Sequence, residues 1–300
     1  MQTFTKHSTA DEVLSDLDLS GKHFLVTGCA AGIGLETLRS LAAHGAHVVG
    51  TARSLARAKA ACDSIAGNST PIACDQDDFA SVAGAVKEIQ KLGVKFDAII
   101  ANAGIMAPRQ PNVRYGVESQ FRVNHLSHML LVTRLSQLLC EGSGRLVMVS
   151  SSAAQSFAPK QGVLFDNLDA HQGYKPFLFY GQSKLANLAF AKSMAELLQS
   201  RGITANALHP GVIVSTDLAR SMGSVARALL PLANLFSKSI PQGAATTCYV
   251  AAHPSVAGKT AGFYADCQPS KPNPHADDAS FRQRLWDVSA AILAQHAPAS

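Results

Sequence analysis

Two side chains that could carry a proton transfer stand four residues apart in the second half of the sequence. Tyr180 and Lys184 lie in the segment FLFYGQSKLAN (residues 177–187), which has helical character. Residues at i and i+4 share one face of a helix, so the phenol and the ammonium can point into the same space. A nearby cation favours the phenolate and lowers the tyrosine pKa, which would let Tyr180 exchange a proton nearer neutral pH. The pair alone is equally compatible with an ordinary solvated helix face.

A glycine-rich turn upstream could hold a phosphate group. The strand-like segment HFLVT leads into TGCAAGIG (residues 27–34), where a helical pattern begins. Glycine lets the backbone approach a pyrophosphate closely, and the free N–H groups at a helix N-terminus attract the anion. The spacing G-x-x-x-G-x-G differs from the commoner G-x-G-x-x-G fingerprint, and such a turn could be purely structural. The expected cofactor contacts here are Gly28, Ala31, Gly32, Ile33 and Gly34.

The end of the next strand indicates which dinucleotide would bind. Enzymes that use NAD usually carry an Asp or Glu about 20 residues past the first glycine, where it accepts from the ribose hydroxyls. Here the sequence reads VVGTARSLARAKAACD, with Arg53 at the strand end and no acid before Asp63. An arginine can pair bidentately with a 2′-phosphate, so we expect NADP(H) to be preferred over NAD(H). Asp75 could accept from the adenine amine or could simply cap a helix.

Composition and charge argue against several classes of protein. Apolar residues make up 47% of the 300 residues and charged residues only 16%, which favours a packed core over disorder. The net charge of +5 is spread without a run of Lys and Arg, so no nucleic-acid partner is expected. Six scattered cysteines without metal-ligand spacing predict no metal site and reduced thiols in the cytoplasm. Neither a signal peptide nor an apolar run of about 20 residues for a membrane span is expected.

The elements that must position these residues alternate between short apolar strands and longer helical patterns. This alternation is typical of a parallel sheet with crossover helices, and no linker divides the chain. We therefore predict a single α/β domain over residues 1–300, a doubly wound Rossmann-type fold with a central parallel sheet of about seven strands and helices on both faces. The predicted strands are His23–Thr27, His47–Ala52, Pro71–Cys74, Asp97–Ala101, Arg145–Ser150, Thr204–Leu208 and Gly262–Ala265. The predicted helices are Ile33–His44, Leu55–Ala66, Phe79–Leu92, Val117–Cys140, Tyr180–Gln199, Gln242–Ala252 and Phe281–Leu293.

Six motifs occur together in a fixed order. They are TGCAAGIG, ANAG (residues 101–104), VNHLSH around Asn124, VSSS (149–152), YGQSK (180–184) and HPG (209–211). In this combination the sequence resembles the short-chain dehydrogenase/reductase family from Ser20 to Leu293. Within that family it is most similar to the retinol dehydrogenase and WW-domain oxidoreductase branch, through VNHLSHMLLV, YGQSKLANLAF, HPGVIVSTDL and the terminal RLWDVS.

The resemblance implies a catalytic group of four residues. Ser151, the second serine after its strand, would hold the substrate oxygen by a hydrogen bond placed in advance. Tyr180 would give its proton to the forming alkoxide, or take it in the reverse direction. Lys184 would lower the tyrosine pKa and grip the nicotinamide ribose, and Asn124 would orient a water that links Lys184 to solvent. The hydride chemistry itself would belong to the nicotinamide.

The resemblance also extends the cofactor site beyond the glycine turn and Arg53. It implies cofactor contacts from Tyr180 and Lys184 and from the ANAG and HPG segments and their surroundings: Asn102, Ala103, Gly104, Pro210, Gly211, Val212 and Thr216. His209 is expected to support the loop near the nicotinamide. His125 and His128 are expected to pack or to form hydrogen bonds within their helix.

The sequence says less about the substrate-binding region than about the cofactor site. The insertion between Ser151 and Tyr180 resembles that of the same branch; we expect it to form part of the substrate wall. It could also obstruct a tetramer interface, so monomer, homodimer and homotetramer stay open. Residues 216–241 are apolar, and the resemblance implies a lid over a bulky apolar or aromatic substrate, although these side chains could instead face a core helix or a subunit partner. Residues 1–19 are interpreted as an N-terminal extension.

Taken together, the resemblance implies an NADP(H)-dependent oxidoreductase that interconverts a ketone or aldehyde and an alcohol. Its partner would be a small apolar carbonyl or alcohol compound. Two alternatives stay open. The same scaffold could reduce C=N or activated C=C bonds, or the chain could be a non-enzymatic, nucleotide-sensing regulator, although regulators of that sort typically lose the tyrosine or the lysine.

Overall fold

The computed structural model describes residues 3–212 and 237–298. The strands of the main sheet are β1 His23–Thr27, β2 His47–Ala52, β3 Asn68–Ala73, β4 Ala98–Ala101, β7 Arg145–Val149, β8 Thr204–His209, β9 Phe263–Ala265 and β10 Gln268–Pro269, and a separate hairpin comprises β5 Val113–Arg114 and β6 Val117–Glu118. The eight strands of the sheet follow the order β10-β9-β8-β7-β4-β1-β2-β3. All pairs are parallel except β10 with β9.

The predicted doubly wound parallel sheet is confirmed, with one strand more than expected. The additional strand, β10, has two residues and ends in a proline, so it offers no apolar run from which to recognise it. β3 begins at Asn68, before the predicted start, because pairing with β2 continues through polar residues at the edge of the sheet.

The described α-helices lie on both faces of the sheet. They are α1 Ala10–Leu14, α2 Gly32–Ala43, α3 Leu55–Asp63, α4 Phe79–Lys91, α5 Ser119–Phe121, α6 Ser127–Leu135, α7 Ala153–Ser156, α8 Pro176–Leu198, α9 Ile240–Ala252 and α10 Ala279–His296. Successive side chains of a strand point to opposite faces, so the sheet has a core on each side. Leu25 belongs to the core with α4, α6 and α8, whereas Phe24 and Val26 belong to the core with α1, α2 and α9. None of these described helices is long and apolar enough to cross a membrane.

The single helix predicted over Val117–Cys140 is wrong. Its first two positions form β6, and the buried carboxylate of Glu118 then accepts from the backbone N–H groups of Gln120 (2.8 Å) and Phe121 (2.6 Å) to start α5. A π-helical turn, Arg122–Leu126, follows before α6 begins. An apolar pattern does not reveal a turn that holds one extra residue, and such turns are frequent at functional sites.

The N-terminal extension packs onto the sheet over its described residues. α1 starts with a capping box between Thr9 and Glu12 and packs against α2 and α9. The ring of Phe4 is buried and meets the rings of Tyr249 (5.8 Å) and His253 (5.2 Å) edge-on. This part of the extension therefore belongs to the core on that face.

The strand order reverses between β1 and β4, which creates a crevice at the carboxyl ends of the central strands. From β1 the sheet extends through β2 to β3 on one side, and from β4 through β7 to β10 on the other. Ligands of open α/β sheets bind at such a reversal. The candidate residues follow the ends of these strands: Gly28 after β1, Arg53 after β2, Asn102 after β4, Ser151 after β7 and Pro210 after β8.

Candidate active site

The turn between β1 and α2 lets its backbone come close to a ligand. Gly28 has a φ of 72°, and a side chain there would place its Cβ 2.8 Å from the Cα of Ala103. A Cβ on Gly34 would lie 2.2 Å from the carbonyl oxygen of Gly28. No side chain caps α2 at Ala31, whereas Ser54 and Asp78 cap α3 and α4. The uncapped N-terminus of α2 is thus suited to a pyrophosphate.

A cleft of about 760 Å³ runs along this turn. It is lined by most of the cofactor-binding residues predicted from the first half of the chain: Gly28, Ala31, Ile33, Gly34, Arg53, Asp75, Asn102, Ala103 and Gly104. Gly32 belongs to the same turn, with a φ of 58°, but does not line the cleft. The volume, the glycine cradle and the uncapped helix together fit a dinucleotide.

Two arginines stand where β2 meets α3. Arg53 follows the strand and Arg57 lies in the first turn of the helix; both are exposed and both line the cleft. The carboxylate of Asp77, also in the cleft wall, is held by the buried guanidinium of Arg122 at 2.5 Å. Arg53 was predicted from the sequence and Arg57 was not, although Arg57 lies four residues further along, on the same face of the helix start.

Asp75 does not cap α4, the alternative left open above, because Asp78 is the N-cap of that helix. Oδ1 of Asp75 accepts from the backbone N–H of Asp77 at 3.0 Å, and its own N–H donates to Ser81 Oγ at 2.9 Å. These bonds stabilise the turn that precedes α4. Asp75 also lines the cleft, so contact with an adenine amine stays a prediction.

A second cleft, of about 260 Å³, contains the predicted catalytic side chains Ser151, Tyr180 and Lys184. The two clefts have Ile33, Asn102, Gly104 and Ile105 in common. They therefore adjoin as one groove, in which a ligand bound along the glycine turn can extend to the tyrosine.

The three serines after β7 have different partners. The Ser151 hydroxyl lies beside the Tyr180 phenol and lowers the pKa of that phenol, and Ser151 Oγ accepts from the N–H of Ala153 at 3.2 Å. Ser150 is buried, and its hydroxyl donates to the Lys184 carbonyl at 2.6 Å. Ser152 lines the cleft, but its hydroxyl does not contact Tyr180 in the described structure. Only Ser151 among the three combines access to the groove with a contact to the tyrosine.

Lys184 is buried beside Tyr180, but it is not the main influence on the tyrosine. Its Nζ lies 5.7 Å from the centroid of the Tyr180 ring and donates to the Val149 carbonyl at 3.1 Å. Burial raises the Tyr180 pKa, and the hydrogen bond with Ser151 opposes this. Burial also lowers the Lys184 pKa to about 8. The Tyr180 pKa is therefore raised rather than lowered as expected, because desolvation of the phenol is the largest influence on it.

Asn124 is buried in the π-helical turn, with its side-chain amide turned toward Ile105. Oδ1 accepts from the Ile105 N–H at 2.8 Å, and Nδ2 donates to the Ile105 carbonyl at 3.0 Å and to Ser183 Oγ at 2.9 Å. Both amide hydrogens are thus engaged by protein groups. The water-orienting role implied by the family resemblance stays a prediction.

The HPG segment closes the far end of the second cleft. His209, Pro210, Gly211 and Val212 all line it, and Gly211 has a φ of 100°. Burial lowers the His209 pKa to about 4, so the ring is neutral at pH 7. Thr216 and most of the predicted lid lie outside the described residues. Within residues 3–212 and 237–298, no group of three His, Cys, Asp or Glu side chains could hold a metal ion.

Comparison with known proteins assigns the family. The family model described as short chain dehydrogenase matches residues 22–163. Short-chain dehydrogenase TIC 32 B, chloroplastic, of Brassica napus is 35% identical over 95% of this chain and 93% of its own length. The chain belongs to the short-chain dehydrogenase/reductase family. The predicted branch is also confirmed, since WW domain-containing oxidoreductase of Homo sapiens is 33% identical (97% of this chain, 73% of its own) and retinol dehydrogenase 14 of Mus musculus is 33% identical (92% and 86%).

Solved structures show the same fold. An uncharacterised protein from Mycobacterium Paratuberculosis superimposes with a TM-score of 0.74 at 27% identity, over 95% of this chain and 98% of its own. A blue fluorescent protein from a metagenomic library, in complex with NADPH, has a TM-score of 0.65 at 26% identity (83% and 97%). A short chain dehydrogenase from Burkholderia cenocepacia, in complex with NADP, has a TM-score of 0.64 at 26% identity (82% and 96%).

Proposed function

We propose that the protein is an NADP(H)-dependent oxidoreductase that interconverts a ketone or aldehyde and an alcohol. The observation that carries this proposal is the single groove, which holds an uncapped glycine-rich turn at one end and the neighbouring Ser151 and Tyr180 side chains at the other. A dinucleotide along the turn would bring its nicotinamide to the tyrosine. The groove suits a cofactor and a small carbonyl compound bound side by side.

The chemical roles follow from which atoms can donate a proton. The nicotinamide supplies or accepts the hydride when it is bound. Because burial raises the Tyr180 pKa, the phenol is protonated at neutral pH and can donate to the oxygen of a carbonyl compound as that oxygen becomes an alkoxide. The Ser151 hydroxyl, which lies beside the phenol in the same cleft, can donate to the same oxygen. With a pKa of about 8, Lys184 is mostly protonated at pH 7 and would stabilise the phenolate left after transfer.

The preference for NADP(H) rests on the cationic end of the groove. Arg53 and Arg57 both line the cleft at the end of β2, where an acid would be needed to bind the ribose hydroxyls of NAD. Two guanidinium groups can share the oxygens of a 2′-phosphate by charge-assisted hydrogen bonds. The two structural relatives named as complexes with NADPH or NADP support the same choice.

An apolar substrate is proposed from the described walls of the second cleft. Ile105, Met106 and Val212 line it and are all exposed large apolar side chains. Phe157 and Phe177, exposed as well, pair with ring centroids 5.4 Å apart. Phe177 precedes Tyr180 by three residues in α8, so the two lie on the same face of that helix. Such surfaces favour a bulky apolar or aromatic carbonyl compound over a sugar.

The experiment that tests the function is a panel of ketones, aldehydes, imines, activated alkenes and alcohols, followed by NADPH absorbance in both directions. Turnover of bulky apolar ketones or aldehydes with NADPH is expected. Activity confined to imines or alkenes, or none with any compound despite NADPH binding, would contradict the proposal and favour the alternatives.

We also propose a single domain and a cytoplasmic location. The two cores share one sheet, and the six cysteines are unpaired, which suits a reducing compartment. Cell fractionation decides the location; accumulation in an organelle, as the word chloroplastic in the names of the Brassica napus relatives describes for those proteins, would contradict it. Size-exclusion chromatography with light scattering measures the oligomeric state.

A further inference from the structure

One buried histidine connects the two sides of the groove. His128 lies in the first turn of α6, and each of its ring nitrogens meets a different part of the site. Nε2 is 2.9 Å from the hydroxyl of Thr27 at the end of β1, and Nδ1 is 2.9 Å from the backbone carbonyl oxygen of Asn124. The Ile100 carbonyl also lies near the Thr27 hydroxyl, but at 3.5 Å, so the imidazole at 2.9 Å is the better hydrogen-bond acceptor.

The chemistry of the groups around His128 fixes the direction of each of these hydrogen bonds. A carbonyl oxygen only accepts, so Nδ1 of His128 carries the ring hydrogen and donates to Asn124, and Nε2 accepts. Thr27 Oγ1 accepts hydrogen bonds from the backbone N–H groups of Asn102 and Ala103, each at 2.9 Å. The Thr27 hydroxyl can therefore donate its own hydrogen to Nε2 of His128. Burial lowers the His128 pKa to about 4 and keeps the ring neutral at pH 7. The tautomer is therefore determined by the surrounding groups.

Beyond Asn124, the series of hydrogen bonds continues to the backbone of Tyr180. Asn124 Nδ2 donates to Ser183 Oγ at 2.9 Å, and the Ser183 hydroxyl donates to the Tyr180 carbonyl at 2.8 Å. A continuous path thus runs from the Asn102–Ala103 loop, in the wall of the cofactor cleft, to the helix that presents the phenol. His128 is the link between the strand ends and the helices.

We propose that His128 is a positioning residue that holds the Asn124 turn, and through it Tyr180, in register with the cofactor-binding loop. The inference rests on the function proposed above. Asn124 lies in a π-helical turn, whose widened backbone has an alternative in ordinary α-helix, so its register needs an external tie. His128 does not relay protons, because both lone pairs of Thr27 Oγ1 are occupied by backbone N–H groups and the chain ends there.

The test compares three substitutions of His128. His128→Phe removes both contacts. His128→Asn places an amide nitrogen near the position of Nδ1 and keeps donation to Asn124, whereas His128→Gln reaches the position of Nε2 and keeps only the Thr27 contact. With NADPH and a carbonyl compound, kcat should fall about 10- to 100-fold in His128→Phe and His128→Gln, as expected for a reacting group displaced by about 1 Å. His128→Asn should recover part of the loss, with the KM for the carbonyl compound and the pH–rate profile unchanged.

His125, in the π-helical turn just before α6, provides a matched control. It is also buried, but its Nε2 contacts Ser289 Oγ at 3.0 Å on α10, away from the groove. His125→Phe should lower thermal stability as much as His128→Phe does, yet leave kcat near that of the wild type. Equal losses of kcat in the two variants would overturn the proposal, because the effect would then be one of general stability.

A measurement on the wild-type protein does not require any variant to fold. Nitrogen-15 NMR should show His128 as the neutral Nδ1–H tautomer down to about pH 5, with the ring shifts perturbed on addition of NADPH. An Nε2–H tautomer, or titration near the ordinary histidine pKa, would overturn the proposal. If the wild type turns over no carbonyl compound, the proposed function fails, while the tautomer and the NADPH titration of the His128 variants still decide the role of His128.

Discussion

Replacing Lys184 with methionine should make the protein more stable and less active. Lys184 is 4% exposed, and among the described residues its ammonium contacts a carbonyl group rather than a carboxylate. Methionine retains an unbranched, adaptable side chain and removes the charge. A buried charge without a counter-ion is costly, so its removal should raise the free energy of unfolding.

The lowered pKa of Lys184 gives the sign and the size of the expected change in the free energy of unfolding. Burial lowers the Lys184 pKa from 10.5 to about 8, so the unfolded chain binds this proton more tightly than the folded protein does. Below pH 8 the lysine is charged in both states and the folded protein carries the full cost, which the pKa difference puts at about 3 kcal/mol. As the pH rises from about 8 to 10.5, the cost falls, and above that range it is absent.

Part of this gain in stability is offset by the loss of a hydrogen bond. The variant loses the hydrogen bond from Lys184 Nζ to the Val149 carbonyl, worth about 1 kcal/mol. The carbonyl keeps a donor in Asn187 Nδ2 at 3.3 Å, so it is not left unsatisfied. We expect a net stabilisation of about 2 kcal/mol at pH 7.

Urea unfolding at pH 7 and pH 10, without nucleotide, measures this difference between wild type and Lys184→Met. The variant should unfold at higher urea at pH 7, and its advantage should nearly disappear at pH 10. Lys184→Arg, which keeps the charge, is the control and should not stabilise. NADPH affinity and kcat should both fall in Lys184→Met. A variant less stable than the wild type at pH 7, or one equally stabilised at both pH values, would refute the reasoning.

Three further predictions concern the groove. Arg53→Ala should weaken NADPH binding by about 1.5–3 kcal/mol while hardly changing the KM for NADH; equal effects on both cofactors would show that Arg53 does not contact the 2′-phosphate. Tyr180→Phe should abolish turnover and leave NADPH affinity, measured by fluorescence titration, close to wild type; substantial residual activity would exclude the tyrosine as proton donor. Gly34→Ala should prevent NADPH binding, because its Cβ would lie 2.2 Å from a backbone oxygen, and a variant with normal affinity would show that the turn can shift.

The sequence was sufficient to predict the sheet and the places where it presents functional groups. Apolar runs such as Phe24–Val26 are bounded by turn residues, and buried strands leave few alternatives to that pattern. The motif residues follow strand ends, so Gly28, Arg53, Asn102 and Ser151 reach the same edge of the sheet once the strands are parallel. Local patterns carry this information because each motif occupies a single strand-to-helix connection.

Local sequence patterns could not predict how deeply side chains are buried or which residues far apart in the sequence contact each other. The contact between Thr27 and His128 joins residues 101 positions apart, and a histidine in a helix carries no sign of it. The direction of the Tyr180 pKa shift is set mainly by burial of the phenol, which spacing along a helix cannot indicate. The π-helical turn around Asn124 follows from the capping by Glu118 and the tertiary contacts with Ile105, not from the helical pattern of the segment.

Three departures from ordinary structural rules meet at this groove, and together they support a functional site independently of the motifs. α2 begins without a side-chain cap, Lys184 is buried and charged without a carboxylate partner in the described chain, and a π-helical turn interrupts the helix next to Gly104. Each costs stability and each is avoidable by a simple substitution. Proteins retain such costs mainly where function requires them. An uncapped helix N-terminus suited to an anion, a phenol beside Ser151 and a buried cation next to it are what the proposed hydride transfer would need in one place, so the energetics and the proposed chemistry agree.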